Sequence, residues 1–231
     1  MERTDPAEHD AAATAGAILQ PALKLWLYSW LLYGVVWQVS YLVSNWQLEA
    51  RDSTGSPWGM LALQWAAELA QAGIILWFVL RDREARRVFS RPRPRMVEMC
   101  LVTVIAGGLL LNTWHTLMPG GTNYSLYEHA AGIPLPIALL TVALVPAIYE
   151  ELMFRGLLLE RFRRVLSLPL AIAIQAMMFS VMHFDGTVLL PHFAFGALCG
   201  VMRVAAGALW PCMLFHMLWN GYGVLEAYEV V

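Results

Sequence analysis

The sequence predicts an all-α fold, a polytopic transmembrane helix bundle of about seven spans. Three observations carry that prediction. Of 231 residues, 59% are hydrophobic and only 14% are charged, with mean hydropathy +0.56; soluble domains carry about a quarter charged residues. Apolar stretches of roughly 20 residues, long enough to cross a bilayer as a helix, separate short charged segments. Lysine and arginine recur at alternate ends of those stretches, as the bias toward the cytoplasmic side requires. Strands are excluded, because the apolar runs lack period-2 alternation and an open sheet edge cannot face lipid. The formal net charge of -2 gives no reason to expect a nucleic-acid partner.

The N-terminus, MERTDPAEHDAAATAGA, is acidic and Ala-rich and lacks the basic start of a signal peptide. Residues 1–19 are expected to be a disordered tail. Spans are expected at about 21–43, 57–80, 96–118, 134–159, 166–184, 187–203 and 206–228. The segments 44–56 (SNWQLEARDSTGS) and 119–132 (PGGTNYSLYEHAAG) read as polar loops. One integrated bundle is the simplest organisation, with three helices in 20–132 and four in 133–231. Arg81, Arg83, Arg86, Arg87, Arg91, Arg93 and Arg95 follow span 2, Arg161, Arg163 and Arg164 follow span 4, Arg203 ends span 6, and Lys24 starts span 1. With seven spans all fall on one side, which places the N-terminus in the cytoplasm. Trp26, Trp46, Trp58, Trp77 and Trp114 fall near span ends, as interfacial aromatics do. Cys100, Cys199 and Cys212 are too few and too scattered for a disulfide framework or a metal knuckle, and read as apolar packing residues.

Few ionisable groups remain inside the spans: Glu68, Glu150, Glu151, Arg155, His183, His192 and His216. Such groups are costly in a bilayer and mark a functional site by default. In YEELMFRG, Glu151 and Arg155 are four apart and share a helix face, in the order that favours pairing. Glu150 lies about 100° around the helix from Glu151. Arg155 is therefore expected to neutralise Glu151, leaving Glu150 to face the bundle interior. Packing alone accounts for an ion pair but not for a second adjacent carboxylate. Phe179 and His183 repeat the four-residue spacing, and so do His216 and Asn220. Glu150, His183, His216 and Asn220 together supply a base, a second proton-handling group and hydrogen-bond donors, the equipment to activate water and stabilise an oxyanion.

The order Glu150-Glu151-x-x-x-Arg155, Phe179-x-x-x-His183 and His216-x-x-x-Asn220 resembles the CAAX-processing and bacteriocin-processing (CPBP) intramembrane protease family. The resemblance covers about 134–222 and includes Gly196-x-x-x-Gly200, a spacing suited to close helix approach. It implies that Glu150 is the general base, with His183 helping to hold the attacking water. It assigns His216 and Asn220 to the oxyanion, and Glu151 and Arg155 to charge balance and orientation. Phe179 and Glu68 are expected to line the cavity. No cofactor is implied. Zinc held by Glu150, His183 and His216 is the minority alternative, and the HExxH motif of zinc peptidases is absent.

The expected substrate is a membrane-anchored protein or peptide, cut in or next to its membrane segment. A prenylated C-a-a-X tail is one family substrate. Removal of a C-terminal anchor or sorting signal, or maturation of a secreted peptide, suits a chain of this length with a strongly basic loop, which looks like a bacterial inner-membrane protein. Two other classes stand beside the enzyme. Glu68 with Gln64 and Gln71 would suit a transporter, though no internal repeat or paired broken helix supports one. A non-catalytic bacteriocin self-immunity protein would not need all of Glu150, His183 and His216. One expectation strains the others: on these span edges Glu150 and His183 differ in depth by roughly 15 Å. A deeper start to span 5, strong tilt or a re-entrant connection at 184–187 would remove the difference.

Overall fold

The computed structural model describes residues 6–49, 57–81, 132–184 and 186–230, with a few positions between 98 and 113. Among them there are helices and turns and no strand. Helix α1 is Pro6–Glu49, α2 is Pro57–Arg81, α3 is Leu135–Phe162, α4 is Leu168–Val181, α5 is Leu189–Ala206 and α6 is Trp210–Ala227.

Two expectations change at the N-terminus. α1 begins at Pro6, so 6–19 are helical where a disordered tail is expected. The alanines explain this: they are the strongest helix formers, and proline is favoured at the first helical position. α1 also runs to Glu49, into the segment read as a loop. Span 96–118, Cys100, Trp46, Trp58, Trp114 and the arginines of 83–95 lie outside the described residues or side chains.

Two helices, Leu135–Phe162 and Leu189–Ala206, are long and apolar enough to cross a membrane, and the expected count of about seven is not reached among the described residues. α4 is apolar but has only 14 residues. At 1.5 Å per residue it is about 21 Å long, short of the roughly 30 Å hydrocarbon core. The described surface nevertheless carries apolar stripes suited to lipid. Leu27, Leu31 and Val35 of α1, Leu140, Leu144 and Ile148 of α3, and Leu214, Leu218 and Tyr222 of α6 are all exposed at four-residue spacing. Apolar stripes of this extent find a partner in lipid, not in water.

α3 is the central element. Its first half packs along α6, and its second half meets α1, α2, α4 and α5. Pro136 opens it, and two segments, Leu139–Leu144 and Leu152–Leu158, widen to π geometry. Pro146 sits between them without an N–H, so the α-helical bond to the carbonyl of Val142 cannot form. Such widened turns recur at functional sites, and here the second begins right after Glu151.

The basic ends gather at one end of the bundle. Arg161 donates to the Ile18 carbonyl (2.8 Å), in the turn of α1 that Pro21 disturbs. Arg203 of α5 pairs with Glu160 of α3 at 3.0 Å. Arg81 caps α2 with its guanidinium 4.3 Å from the ring of exposed Trp77. α4 and α5 lie in close contact because of two glycines. A Cβ on Gly196 would meet Ala176 Cα at 3.0 Å, and one on Gly200 would meet Gln175 Nε2 at 2.9 Å. The free Cys199 and Cys212 are buried packing residues, as expected, with the Cys212 thiol 3.3 Å from the Cys199 carbonyl.

Candidate active site

Glu150, Glu151 and Arg155 sit at the middle of α3, where α2, α5 and α6 converge. Glu151 and Arg155 are fully buried (0% exposed), and Arg155 Nη1 donates to Glu151 Oε1 at 2.7 Å. His216 of α6 approaches the same oxygen, with Nδ1 at 2.9 Å. A carboxylate only accepts, so the hydrogen of this bond is on Nδ1. The other face of the ring points to the second glutamate: His216 Nε2 lies 3.9 Å from Glu150 Oε2. The adjacent carboxylates are therefore unlike. Glu151 is consumed by two partners, while the Glu150 side chain keeps 15% of its surface accessible.

Arg155 reaches further. Its Nη2 donates to the Gly196 carbonyl at 3.1 Å, and Gln175 Nε2 donates to that same carbonyl at 2.8 Å. The guanidinium lies 4.6 Å from the centre of the Phe179 ring. Phe179 is buried at the hub of an aromatic cluster, 5.0 Å from His183, 6.0 Å from His192, 6.0 Å from His216 and 5.6 Å from Phe195 between ring centres. His183 follows the end of α4, and its Nδ1 lies 3.0 Å from the Phe179 carbonyl. Phe179 links the two regions that the expected span edges set apart in depth, with His183 on one side of its ring and His216 on the other. α4 is short, and the turn that carries His183 lies beside the ring that also touches His216.

Asn220 is on the same face of α6 as His216, and its Nδ2 donates to the Val142 carbonyl at 2.9 Å. That is the carbonyl whose α-helical donor Pro146 removes. One amide hydrogen of Asn220 is therefore committed to α3, and one remains. Glu68 is buried on α2, which packs against 145–158 of α3.

Two residues were not assigned a role from sequence. Gln175 is fully buried and ties α4 to α5. Its signal was available: Gln175, Phe179 and His183 follow at four-residue spacing, so the Phe-x-x-x-His face simply continues one turn back. His192 stacks on His183 with 3.8 Å between ring centres, and its own Nδ1 lies 2.8 Å from the Val188 carbonyl. No spacing within one helix could show that contact, since it joins α5 to the turn after α4.

Among the described residues, no three His, Cys, Asp or Glu side chains form a set able to hold a metal ion. Of the three zinc candidates, His216 engages Glu151 through Nδ1 and His183 engages the Phe179 carbonyl through Nδ1, so each would have only Nε2 to offer a metal ion.

No curated protein and no solved structure matches the chain. Residues 132–222 match the family model described as Rce1-like, type II CAAX prenyl endopeptidase Rce1-like; that stretch holds Glu150, Glu151, Arg155, Phe179, His183, His216 and Asn220, and the match agrees with the resemblance read from the three motifs.

Proposed function

We propose that the protein is an intramembrane endopeptidase that hydrolyses a peptide bond in or next to a membrane segment of its substrate, using a water activated by Glu150. The observation that carries this reading is the division between neighbouring carboxylates. Glu151 is held by Arg155 and His216, whereas Glu150 is partly accessible and 3.9 Å from the free edge of His216. A fully buried carboxylate paired with Arg155 and His216 is poorly placed to act as a base; one set beside it and left accessible can take a proton from water.

In the proposed reaction the water gives its proton to Glu150, and its oxygen attacks the carbonyl carbon. The resulting oxyanion accepts hydrogen bonds from His216 and from the remaining amide hydrogen of Asn220. To donate from Nε2, His216 must carry hydrogens on both ring nitrogens, and it has a carboxylate on each side to face them. The C–N bond then breaks, and the proton on Glu150 passes to the leaving amine. His183 helps to hold the water. Glu151 and Arg155 orient His216 and balance charge. No metal is part of this scheme. The substrate class we favour is a membrane-anchored protein that loses a C-terminal anchor or sorting signal. The basic ends of α1, α3 and α5 support a cytoplasmic N-terminus in a multi-pass bundle.

The test uses the purified full chain in lipid vesicles and quenched fluorogenic peptides, one ending in a prenylated C-a-a-X tail and one carrying an unmodified apolar segment. Glu150→Gln should abolish cleavage and leave folding intact. Cleavage at the wild-type rate by that variant would refute the base assignment.

A further inference from the structure

The turn that carries His183 is held by a helix outside the family segment. Phe184 has φ of 53°, a left-handed conformation that is strained for a bulky side chain. Such a conformation persists only where its surroundings enforce it. The surroundings here belong to α1. The Phe184 ring stacks on Trp30 (5.2 Å between centres, 18° between planes) and on Tyr33 (6.2 Å, 21°). Its tip rests on Gly34: a Cβ there would lie 2.8 Å from Phe184 Cζ. Gly34 has ordinary helical backbone, so the absent side chain serves the ring, not a turn. The Trp30 indole N–H also points to the Val181 carbonyl, at 3.4 Å, in the last turn of α4. His183 is therefore flanked on both sides in sequence by residues fastened to α1, at Val181 and at Phe184.

We propose that α1 fixes the working position of His183 through this clamp, making Gly34, Trp30 and Phe184 positioning residues for the reaction. The proposal rests on the reading that His183 acts in the site. A clamp is needed because α4 ends at Val181, and beyond it the backbone of His183 and Phe184 is tied to the helix only by turn bonds. His192 of α5 and Phe179 of α4 set its ring; the clamp sets its backbone from the α1 side. It follows that the N-terminal helix is part of the catalytic apparatus, although it carries none of the family's motifs.

The test is an exchange of ring and socket in the full chain, reconstituted in vesicles and assayed with the prenylated quenched peptide. Gly34→Phe fills the socket and should evict Phe184. Phe184→Gly removes the ring and relieves the strain. Each should lower kcat by at least about tenfold with KM little changed, since misplacement of a catalytic group by an ångström is worth up to roughly 100-fold. The double variant returns a ring to the same space and should recover to within about threefold of wild type. Trp30→Phe keeps the stack and removes only the N–H, and should lose about threefold. Full activity in both single variants, or a double variant worse than either, overturns the clamp. Glu150→Gln is run in parallel. If it abolishes cleavage while the clamp variants are silent, only the clamp fails. If it retains wild-type cleavage, the assignment of Glu150 as base fails, and the clamp stands or falls on its own variants. Thermal unfolding in the same vesicles decides the remaining case: activity lost together with most of the folded protein, and not restored in the double variant, makes these residues merely structural.

Discussion

Replacing Arg155 by methionine removes a charge from a fully buried ion pair, the most buried among the described residues. Arg155 and Glu151 are both 0% exposed and 2.7 Å apart. The second oxygen of Glu151 has no hydrogen-bond partner, so nothing else stands ready to take the place of Arg155 there. With charge centres about 4 Å apart and an effective dielectric of about 20, the attraction lost is about 4 kcal/mol. Mutational experience with buried pairs puts the cost of removing one partner at about 3–5 kcal/mol, mostly the burial of an uncompensated charge. His216 stays 2.9 Å from Glu151, which argues for the lower end, about 3 kcal/mol. Reversible unfolding in mixed detergent–lipid micelles measures this directly. Adding Glu151→Gln to Arg155→Met removes the orphan charge and should recover more than half of the loss. A single variant within about 1 kcal/mol of wild type, or a double variant no better than the single, would refute the reasoning that burial of an unpaired carboxylate dominates.

Other perturbations probe other joints. Gly196→Ala places a methyl 3.0–3.3 Å from the backbone of Ala176 and must push α4 from α5; we expect a loss of about 1–3 kcal/mol from overpacking, read by the same unfolding assay. The push should also weaken the bonds from Gln175 and Arg155 to the Gly196 carbonyl. Pro146→Ala restores an N–H opposite the Val142 carbonyl, so the stability cost of Asn220→Ala should shrink in its presence; equal costs in both backgrounds would show that Asn220 does not serve that carbonyl. His216→Ala should lower turnover by about 10²–10³-fold if its Nε2 serves the oxyanion, whereas Asn220→Ala should fall less steeply in kcat once Pro146→Ala repairs the helix.

What the sequence disclosed follows the range of each interaction. Glu151 and Arg155 are one turn apart on one helix, so their pairing was legible, and with it the separate environment of Glu150. The Gly196 and Gly200 spacing was legible for the same reason. Contacts between helices were not. The bond from Gln175 to the Gly196 carbonyl and the stacking of His183 on His192 depend on how α4 and α5 meet. The bond from Asn220 to Val142 spans 78 residues, yet half of it was visible: a proline in mid-helix always leaves the carbonyl four residues back in need of a donor. Hydropathy overstated the regularity of the spans. It counts Leu168–Val181 and the turn after it as one crossing, although the helix has only 14 residues and His183 lies in the turn that follows it. Composition likewise misjudged residues 6–19, where polarity suggested disorder and alanine propensity prevailed.

The most direct test of the central claim compares cells carrying the wild-type protein with cells carrying Glu150→Ala, with every chain terminus of the membrane and secreted proteins mapped by mass spectrometry. The account predicts a small set of proteins that keep an uncut hydrophobic tail only in the variant. Identical termini in both strains, accompanied by a change in transport or toxin sensitivity, would contradict it.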